Sequence, residues 1–190
     1  MDWIVAPHSP SLPAFWPLVR SAHPDAVTVT ANSGIEVFRP DYYFLWDDAA
    51  CRNGRWHRAA RTARAAGTKL VTVAKPPELL RARGLDHFDI YLEVKPAEYI
   101  KNYIPGQYVG CGFSRLYCLQ FALENRASRI ILLGMEGYQK EEYIKTVGGF
   151  VRSAIRLCPN VQFDVCGELN YDLPDTPNLR RFAIPEMIAA

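Results

Sequence analysis

The run Ile130-Ile131-Leu132-Leu133 indicates the fold class of this chain. A strand with one solvent-exposed face alternates apolar and polar residues, whereas this run is apolar on both faces. It therefore predicts a buried parallel strand, of the kind that helices cover on both sides.

Further short runs rich in β-branched and aromatic residues recur on either side of this segment, with helical stretches between them. The seven predicted strands are Asp2–Ala6, Ala26–Ala31, Tyr42–Trp46, Lys69–Ala74, Phe88–Glu93, Arg129–Gly134 and Asn160–Cys166. Alternation of strands and helices is typical of a parallel sheet with right-handed crossovers. We therefore expect an α/β fold: one Rossmann-like domain with a mostly parallel sheet of about six or seven strands and helices on both faces.

Two helices are indicated by their side-chain patterns. Tyr143, Val147, Val151 and Ile155 recur every four residues and form an apolar stripe that ends before Pro159. The segment 113–126 is apolar almost all round, which predicts a buried helix whose polar residues cluster at its start. Free backbone N–H groups make such a start a site for anions.

Two segments lack a clear period. Residues 93–112 are interpreted as a long loop over the edge of the sheet, and loops of that length often bind ligands. Residues 171–190 are expected to be an extended C-terminal tail of a single domain that spans residues 1–190.

Composition narrows the class of protein. The chain is 49% hydrophobic and 22% charged, with a formal net charge of +2, which argues against nucleic acid as the default partner. No apolar run is long enough to span a membrane, and the N-terminus lacks the pattern of a signal peptide. The five scattered cysteines contain no C-x-x-C pair, so we expect free thiols in a cytoplasmic protein. No oligomeric state is indicated.

Polar groups follow four of the predicted strands. They are Pro7-His8-Ser9-Pro10-Ser11, Asn32-Ser33-Gly34, Asp47-Asp48 and Gly134-Met135-Glu136. Ligands of open α/β sheets bind beyond the carboxyl ends of the strands, so these groups are expected to converge on one site.

Each candidate residue has a chemical and a structural interpretation. His8 lies on the predicted rim and is the candidate acid–base group, since imidazole titrates near neutral pH. Asp47 and Asp48 could hold a magnesium ion against a phosphate, or one of them could cap a helix. Glu136 could be a second metal ligand, a general base or a solvated loop residue. Asn32 could contact a ribose or a base, or form a turn.

The stretch after Asp48 is basic. Arg52, Arg55, Arg58, Arg61 and Arg64 recur every third residue with His57 among them, and Ala59, Ala60, Ala63 and Ala66 form a small face for the sheet. The arginines form either a patch for phosphates or acidic partners, or a solvated helix face. No G-x-G-x-x-G follows the first strand and no G-x-x-x-x-G-K-[ST] occurs, which disfavours dinucleotide oxidoreductases and P-loop enzymes.

The order of these motifs resembles a group of Rossmann-like proteins. The group includes bacterial sialyltransferases, flagellin-glycosylation factors, archaeal 6-hydroxymethylpterin pyrophosphokinases and related phage proteins. The segments that carry the resemblance are 4–12 (IVAPHSPSL), 32–33 (NS), 40–47 (PDYYFLWD), 114–117 (SRLY) and 131–136 (ILLGME). The resemblance implies a nucleotide or nucleotide-sugar site lined by Pro10, Ser11, Asn32, Ser114 and Glu136.

The chain departs from that group at four positions. Pro7 and Ser9 stand where the group has glycines, Arg115 replaces a glycine at a helix start and could itself bind an anion, and Glu136 replaces an aspartate. Three functions are therefore weighed. They are a glycosyltransferase-like enzyme that uses a nucleotide-activated sugar, a magnesium- and ATP-dependent pyrophosphokinase-like enzyme, and a binding or assembly protein without catalysis.

Overall fold

The chain is seen in a computed structural model, which describes residues 1–45, 54–72, 81, 88–95, 102–109, 113–135, 140–167 and 169–182. Eight parallel strands form one sheet in the order β10-β9-β8-β1-β2-β3-β4-β5, and β6 pairs with β7 in a separate parallel ribbon. The strands are β1 Asp2–Val5, β2 Val27–Ala31, β3 Tyr42–Phe44, β4 Lys69–Thr72, β5 Ile90–Tyr91, β6 Val94–Lys95, β7 Tyr108–Val109, β8 Arg129–Leu133, β9 Gln162–Cys166 and β10 Leu179–Phe182.

Four α-helices occur in the described part of the chain. They are α1 Leu12–Ala22, α2 Gly54–Ala65, α3 Ser114–Glu124 and α4 Glu141–Leu157, and a 3-10 turn covers Asn32–Glu36. The periodic stripe falls in α4, which ends before Pro159, and the apolar helix predicted over 113–126 is α3.

The α/β class and the parallel sheet are confirmed, but the predicted strand number is wrong. All seven predicted strands are present, and the eighth is β10, which lies inside the segment expected to be a tail. β10 pairs only with β9, so half of its residues remain exposed, including Arg180 and Arg181. An edge strand with two charged residues lacks the apolar run that marks a buried one.

The core is divided between alternate residues of the strands. Trp3 and Val5 of β1 pack in a cluster with Leu116 of α3 and Val151 of α4. Ile4, between them, packs in another cluster with residues of α1. Because successive strand residues point to opposite faces of the sheet, α1 and α4 belong to different sides of β1.

The segment 93–112, expected to be a loop, contains β6 and β7 and is attached to α3. Tyr103 is buried; its hydroxyl donates to Glu124 Oε1 at 2.8 Å, and the Gly106 N–H donates to the same oxygen at 2.9 Å. Burial, followed by the hydrogen bond to Glu124, raises the pKa of Tyr103 above its ordinary value, so its phenol is a neutral donor. Because Glu124 ends α3, this part of the segment lies at the far end of α3 from Ser114.

Helix α2 presents its arginines to solvent, but His57 does not join them. Arg55, Arg58 and Arg61 are exposed, whereas His57 is 1% exposed on the inner face with Ala60 and Ala63. Arg55 pairs with Glu36 at 2.8 Å, and Arg64 lies 3.6 Å from Asp89. The expectation that His57 belongs to the basic face is wrong, because the helical turn places residue 57 on the same side as residues 60 and 63.

Candidate functional site at the carboxyl edge of the sheet

The strand order places a topological switch point between β1 and β8. The chain leaves β1 through α1 towards β2 on one side, and leaves β8 through α4 towards β9 on the other. Helices α1 and α4 pack on different sides of β1. Where two such connections separate, open α/β sheets have a crevice beyond the carboxyl ends of the strands. Ligands of open α/β sheets bind in such a crevice.

The loops after β1 and β8 touch each other at this crevice. Gly134 directly follows β8 and has φ +73°, the left-handed region that suits glycine. A Cβ at Gly134 would lie 2.6 Å from the Cβ of Ser9 and 3.2 Å from the carbonyl oxygen of Pro7. Only a residue without a side chain lets these two loops approach so closely.

The turn after β2 is held against the end of β1. Thr30 Oγ1 donates to the carbonyl oxygen of Ala6 at 2.6 Å. A Cβ at Gly34 would lie 1.9 Å from Thr30 Oγ1 and 3.2 Å from that carbonyl oxygen. Ser33, one residue earlier, places its Oγ against Nδ1 of His8. The loops after β1, β2 and β8 therefore form one connected rim.

Asn32 has an unusual backbone and an unsatisfied side chain. Its φ is +53°, and its carbonyl oxygen accepts a hydrogen bond from the Tyr43 hydroxyl at 3.1 Å. Its Oδ1 is buried and has no hydrogen-bond partner among the described residues. Strained backbone clusters at functional sites, and a buried oxygen without a partner in a native protein calls for an explanation such as a bound water or ligand.

The loop after β1 satisfies its own polar groups. Ser9 is 5% exposed; its Oγ lies 2.7 Å from Ser11 Oγ and accepts the Ser11 N–H at 3.1 Å. Pro10 is exposed, and no residue of this loop has a positive φ. The loop therefore does not form the concave cradle of backbone N–H groups that glycines build around a phosphate.

Helix α3 brings its N-terminus to the same edge. The chain after the C-terminal end of α3 lies at the amino edge of the sheet, because the Ser128 N–H, four residues after Glu124, donates to the carbonyl oxygen of Met1 at 3.0 Å. A helix that leads into a parallel strand runs back along the sheet in the opposite direction to that strand. Ser114 therefore begins α3 at the carboxyl edge.

The start of α3 is electropositive. Ser114 and Arg115 are both 7% exposed, and the first turn contains no acidic residue. The helix dipole gives this end a partial positive charge, and Arg115 adds a full charge in the first turn. This end of the helix is suited to an anion.

Tyr171 fixes the chain after β8. Its hydroxyl donates to the carbonyl oxygen of Met135 at 2.9 Å, and its ring packs on Gly148 of α4, where a Cβ would lie 2.9 Å from Cγ of the tyrosine. This role of Tyr171 was not predicted, since Tyr171 lies in the segment expected to be a tail. The only available signal was the Gly148-Gly149 pair, which breaks the pattern of α4 at this contact.

The structure connects part of the predicted site. His8, Ser11 and Asn32 belong to adjoining loops of the rim, Pro10 lies on its exposed side, and Ser114 with Arg115 opens the helix at the same edge. Asp47, Asp48 and Glu136 lie outside the described residues. Among the residues that are described, no group of three or more His, Cys, Asp or Glu side chains could hold a metal ion.

The described cysteines are not arranged for catalysis. Cys118 and Cys166 are buried, Cys158 is partly buried, and none of the three forms a disulfide. Burial, and after it the charge of Asp164, raises the pKa of Cys166 to about 12. Its thiol is therefore neutral and unreactive near pH 7.

The architecture is similar to that of a solved glycosyltransferase. The MAf glycosyltransferase from Magnetospirillum magneticum AMB-1 superposes on 99% of this chain with a TM-score of 0.60 and 14% sequence identity. The fold is glycosyltransferase-like. This chain spans 35% of the length of that protein. No family model and no curated protein matches the sequence.

None of the helices in the described ranges is both long and apolar enough to cross a bilayer.

Proposed function

We propose that this protein is a transferase that uses a nucleotide-activated sugar, bound at the carboxyl edge between β1 and β8. The observation that carries the proposal is the rim at the switch point, where the loops after β1, β2 and β8 adjoin and the electropositive start of α3 lies at the same edge. The similarity of the fold to a glycosyltransferase supports it.

The phosphate of the donor is assigned to the start of α3. The loop after β1 cannot serve, because it lacks glycines with positive φ and uses the Ser11 N–H internally. Ser114 and Arg115 bring a hydroxyl and a guanidinium to the positive end of the helix dipole, and this combination suits a phosphate leaving group. Pro10 and Ser11 line the nucleoside side of the same crevice.

Asn32 is assigned to the nucleoside. Its unsatisfied Oδ1 accepts a hydrogen bond from a ribose hydroxyl or a base amino group, and this removes the cost of leaving a buried oxygen unpaired. The left-handed backbone at Asn32 is the strain that aims the side chain.

His8 is assigned as the general base. A hydroxyl of the acceptor attacks the anomeric carbon of the sugar, the bond from that carbon to the phosphate oxygen breaks, and His8 takes the hydroxyl proton. The nucleotide leaves with the electron pair of the broken bond. Glu136 is the second candidate for the base, and with Asp47 and Asp48 it would supply the carboxylates for magnesium if the reaction requires it.

Thermal unfolding in the presence of nucleotides tests the proposal. CMP, CTP, UDP, GDP and ATP are added with and without magnesium, and a ligand at 100 times its Kd adds about 2.7 kcal/mol to the free energy of unfolding. Stabilisation by a nucleotide of the kind that carries sugars, without magnesium, supports the transferase. Stabilisation by ATP only with magnesium would indicate a pyrophosphokinase-like enzyme, and no stabilisation would indicate a binding or assembly protein.

Three variants locate the nucleotide. Asn32→Gly removes the amide while keeping a backbone that adopts φ +53° without strain, so it should weaken binding at least tenfold and leave the apo melting temperature nearly unchanged. Ser114→Ala should also weaken binding with little loss of stability. The matched control is Arg126→Gly, at φ +59° on the turn after α3, which should leave binding unaltered. Equal loss of binding in the control would contradict the assignment.

A further inference from the structure

We propose that Ser33 is the positioning residue for His8. Its hydroxyl keeps the imidazole proton on Nδ1, so that Nε2 is the ring nitrogen that exchanges a proton with the acceptor hydroxyl. The inference rests on the proposed function for the role of His8 in the reaction, but the state of the imidazole itself can be measured without any substrate.

Ser33 stands on a turn that is fixed on both sides. The bond from Thr30 Oγ1 to the carbonyl oxygen of Ala6 attaches β2 to the end of β1, two residues before His8. The Tyr43 hydroxyl holds the carbonyl oxygen of Asn32, next to Ser33, at 3.1 Å. On the other side Gly34 packs so closely on Thr30 Oγ1 that no side chain fits. The Ser33 hydroxyl is therefore held at a defined place relative to β1.

Ser33 contacts the exposed ring of His8. Its side chain is exposed, so packing in the core does not orient the ring, whereas the neighbouring Pro7 and Ser9 are buried. The Oγ of Ser33 lies against Nδ1, the ring nitrogen nearer the backbone. The contact fixes the rotation of the imidazole, and Nε2 lies across the ring from it.

The direction of the hydrogen bond follows from the proton cycle of a base. A serine hydroxyl can donate to a bare Nδ1 or accept from Nδ1–H. In the first arrangement the ring must take up its proton at Nδ1, and the bond to Ser33 is broken or reversed when it does so. In the second arrangement Nδ1–H donates to Ser33 before and after Nε2 is protonated, and the ring keeps its orientation. We therefore assign the proton to Nδ1, in line with the way histidine tautomers are fixed by the partner of the other nitrogen.

NMR of protein labelled with 15N at histidine tests the assignment. Long-range proton–nitrogen spectra distinguish neutral Nδ1–H from neutral Nε2–H imidazole, and His8→Gln identifies the signals of His8. We expect wild-type His8 to be predominantly in the Nδ1–H form above neutral pH. Ser33→Ala should remove this preference, Ser33→Thr should restore it, and Ser21→Ala on the exposed side of α1 should have no effect.

The outcomes separate the two proposals. An Nε2–H tautomer in the wild-type protein overturns the inference, even if Ser33→Ala fails to fold, and so does an unchanged tautomer in a folded Ser33→Ala. CMP, CTP, UDP and GDP are then titrated into the same samples. If none binds the wild-type protein, the proposed function fails while the tautomer result stands. If one binds, Ser33→Ala should retain its Kd within about twofold, because Ser33 acts on the proton and not on the nucleotide. A tenfold loss of affinity would instead make Ser33 a binding residue.

Discussion

Replacing Gly134 by alanine tests the contact on which the candidate site depends. The residue has φ +73°, and a Cβ there would lie 2.6 Å from the Cβ of Ser9. A left-handed backbone costs an alanine about 1–2 kcal/mol. Forcing the two loops apart adds roughly 1–3 kcal/mol, the usual cost of overpacking. We therefore expect Gly134→Ala to lower the free energy of unfolding by roughly 2–5 kcal/mol in total.

Gly106 is the matched control. Its φ is +72°, almost the same as that of Gly134, but nothing lies within 4 Å of the position that a Cβ would take. Gly106→Ala should therefore lose only the backbone part, about 1–2 kcal/mol. Urea denaturation of both variants gives the difference between their free energies of unfolding. Thermal unfolding measures the same difference independently, as a shift in melting temperature of about 2–4 °C per kcal/mol for a chain of this size.

A double-mutant cycle completes the test. Ser9→Gly removes the Cβ that obstructs residue 134, at the cost of the hydrogen bonds of Ser9 to Ser11. In the Ser9→Gly background, Gly134→Ala should cost about as much as Gly106→Ala, which gives a coupling of roughly 1–3 kcal/mol. Equal costs for the two glycines in the wild-type background, or a coupling near zero, would show that the loops after β1 and β8 do not touch.

Three further predictions concern the core, the pH dependence and the thiols. Leu132 is 1% exposed in a central strand, so Leu132→Asp should prevent folding as judged by circular dichroism, while Leu132→Met should cost less than about 1.5 kcal/mol. Burial, and after it the charge of Arg129, lowers the pKa of His23 below its ordinary value. The unfolded chain therefore binds protons more readily at this residue, and the free energy of unfolding should fall as the pH drops below about 6.5. His23→Gln should flatten that fall of the free energy of unfolding in urea titrations between about pH 7 and pH 5. The same pH dependence in the variant and the wild-type protein would show that His23 does not cause the fall. With its pKa near 12, Cys166 should react with iodoacetamide roughly a thousandfold more slowly in the folded protein than in urea, as followed by mass spectrometry.

The elements of the fold could be predicted from local sequence wherever burial leaves a local pattern. Strands of a parallel sheet that are buried on both faces become continuous apolar runs, as in β8, and a helix that packs on one side acquires the four-residue stripe of α4. The polar groups after the strands could be assigned to one edge for the same reason, since all parallel strands end on the same side. β10 could not be found in this way, because an edge strand needs no apolar run.

Which loops at the carboxyl edge contact each other could be seen only in the tertiary structure. The sequence does not encode in any local pattern that β1 lies between β8 and β2, and this order is what brings Gly134 against Ser9 and Ser33 against His8. Residues 134 and 9 meet because β1 and β8, which are distant in the sequence, pair in the sheet. The pairing of strands depends on how the buried faces of all the strands pack together. Local patterns were enough to predict that the residues after the strands, such as His8 and Asn32, lie at the carboxyl edge. The order of the strands sets which of these residues touch.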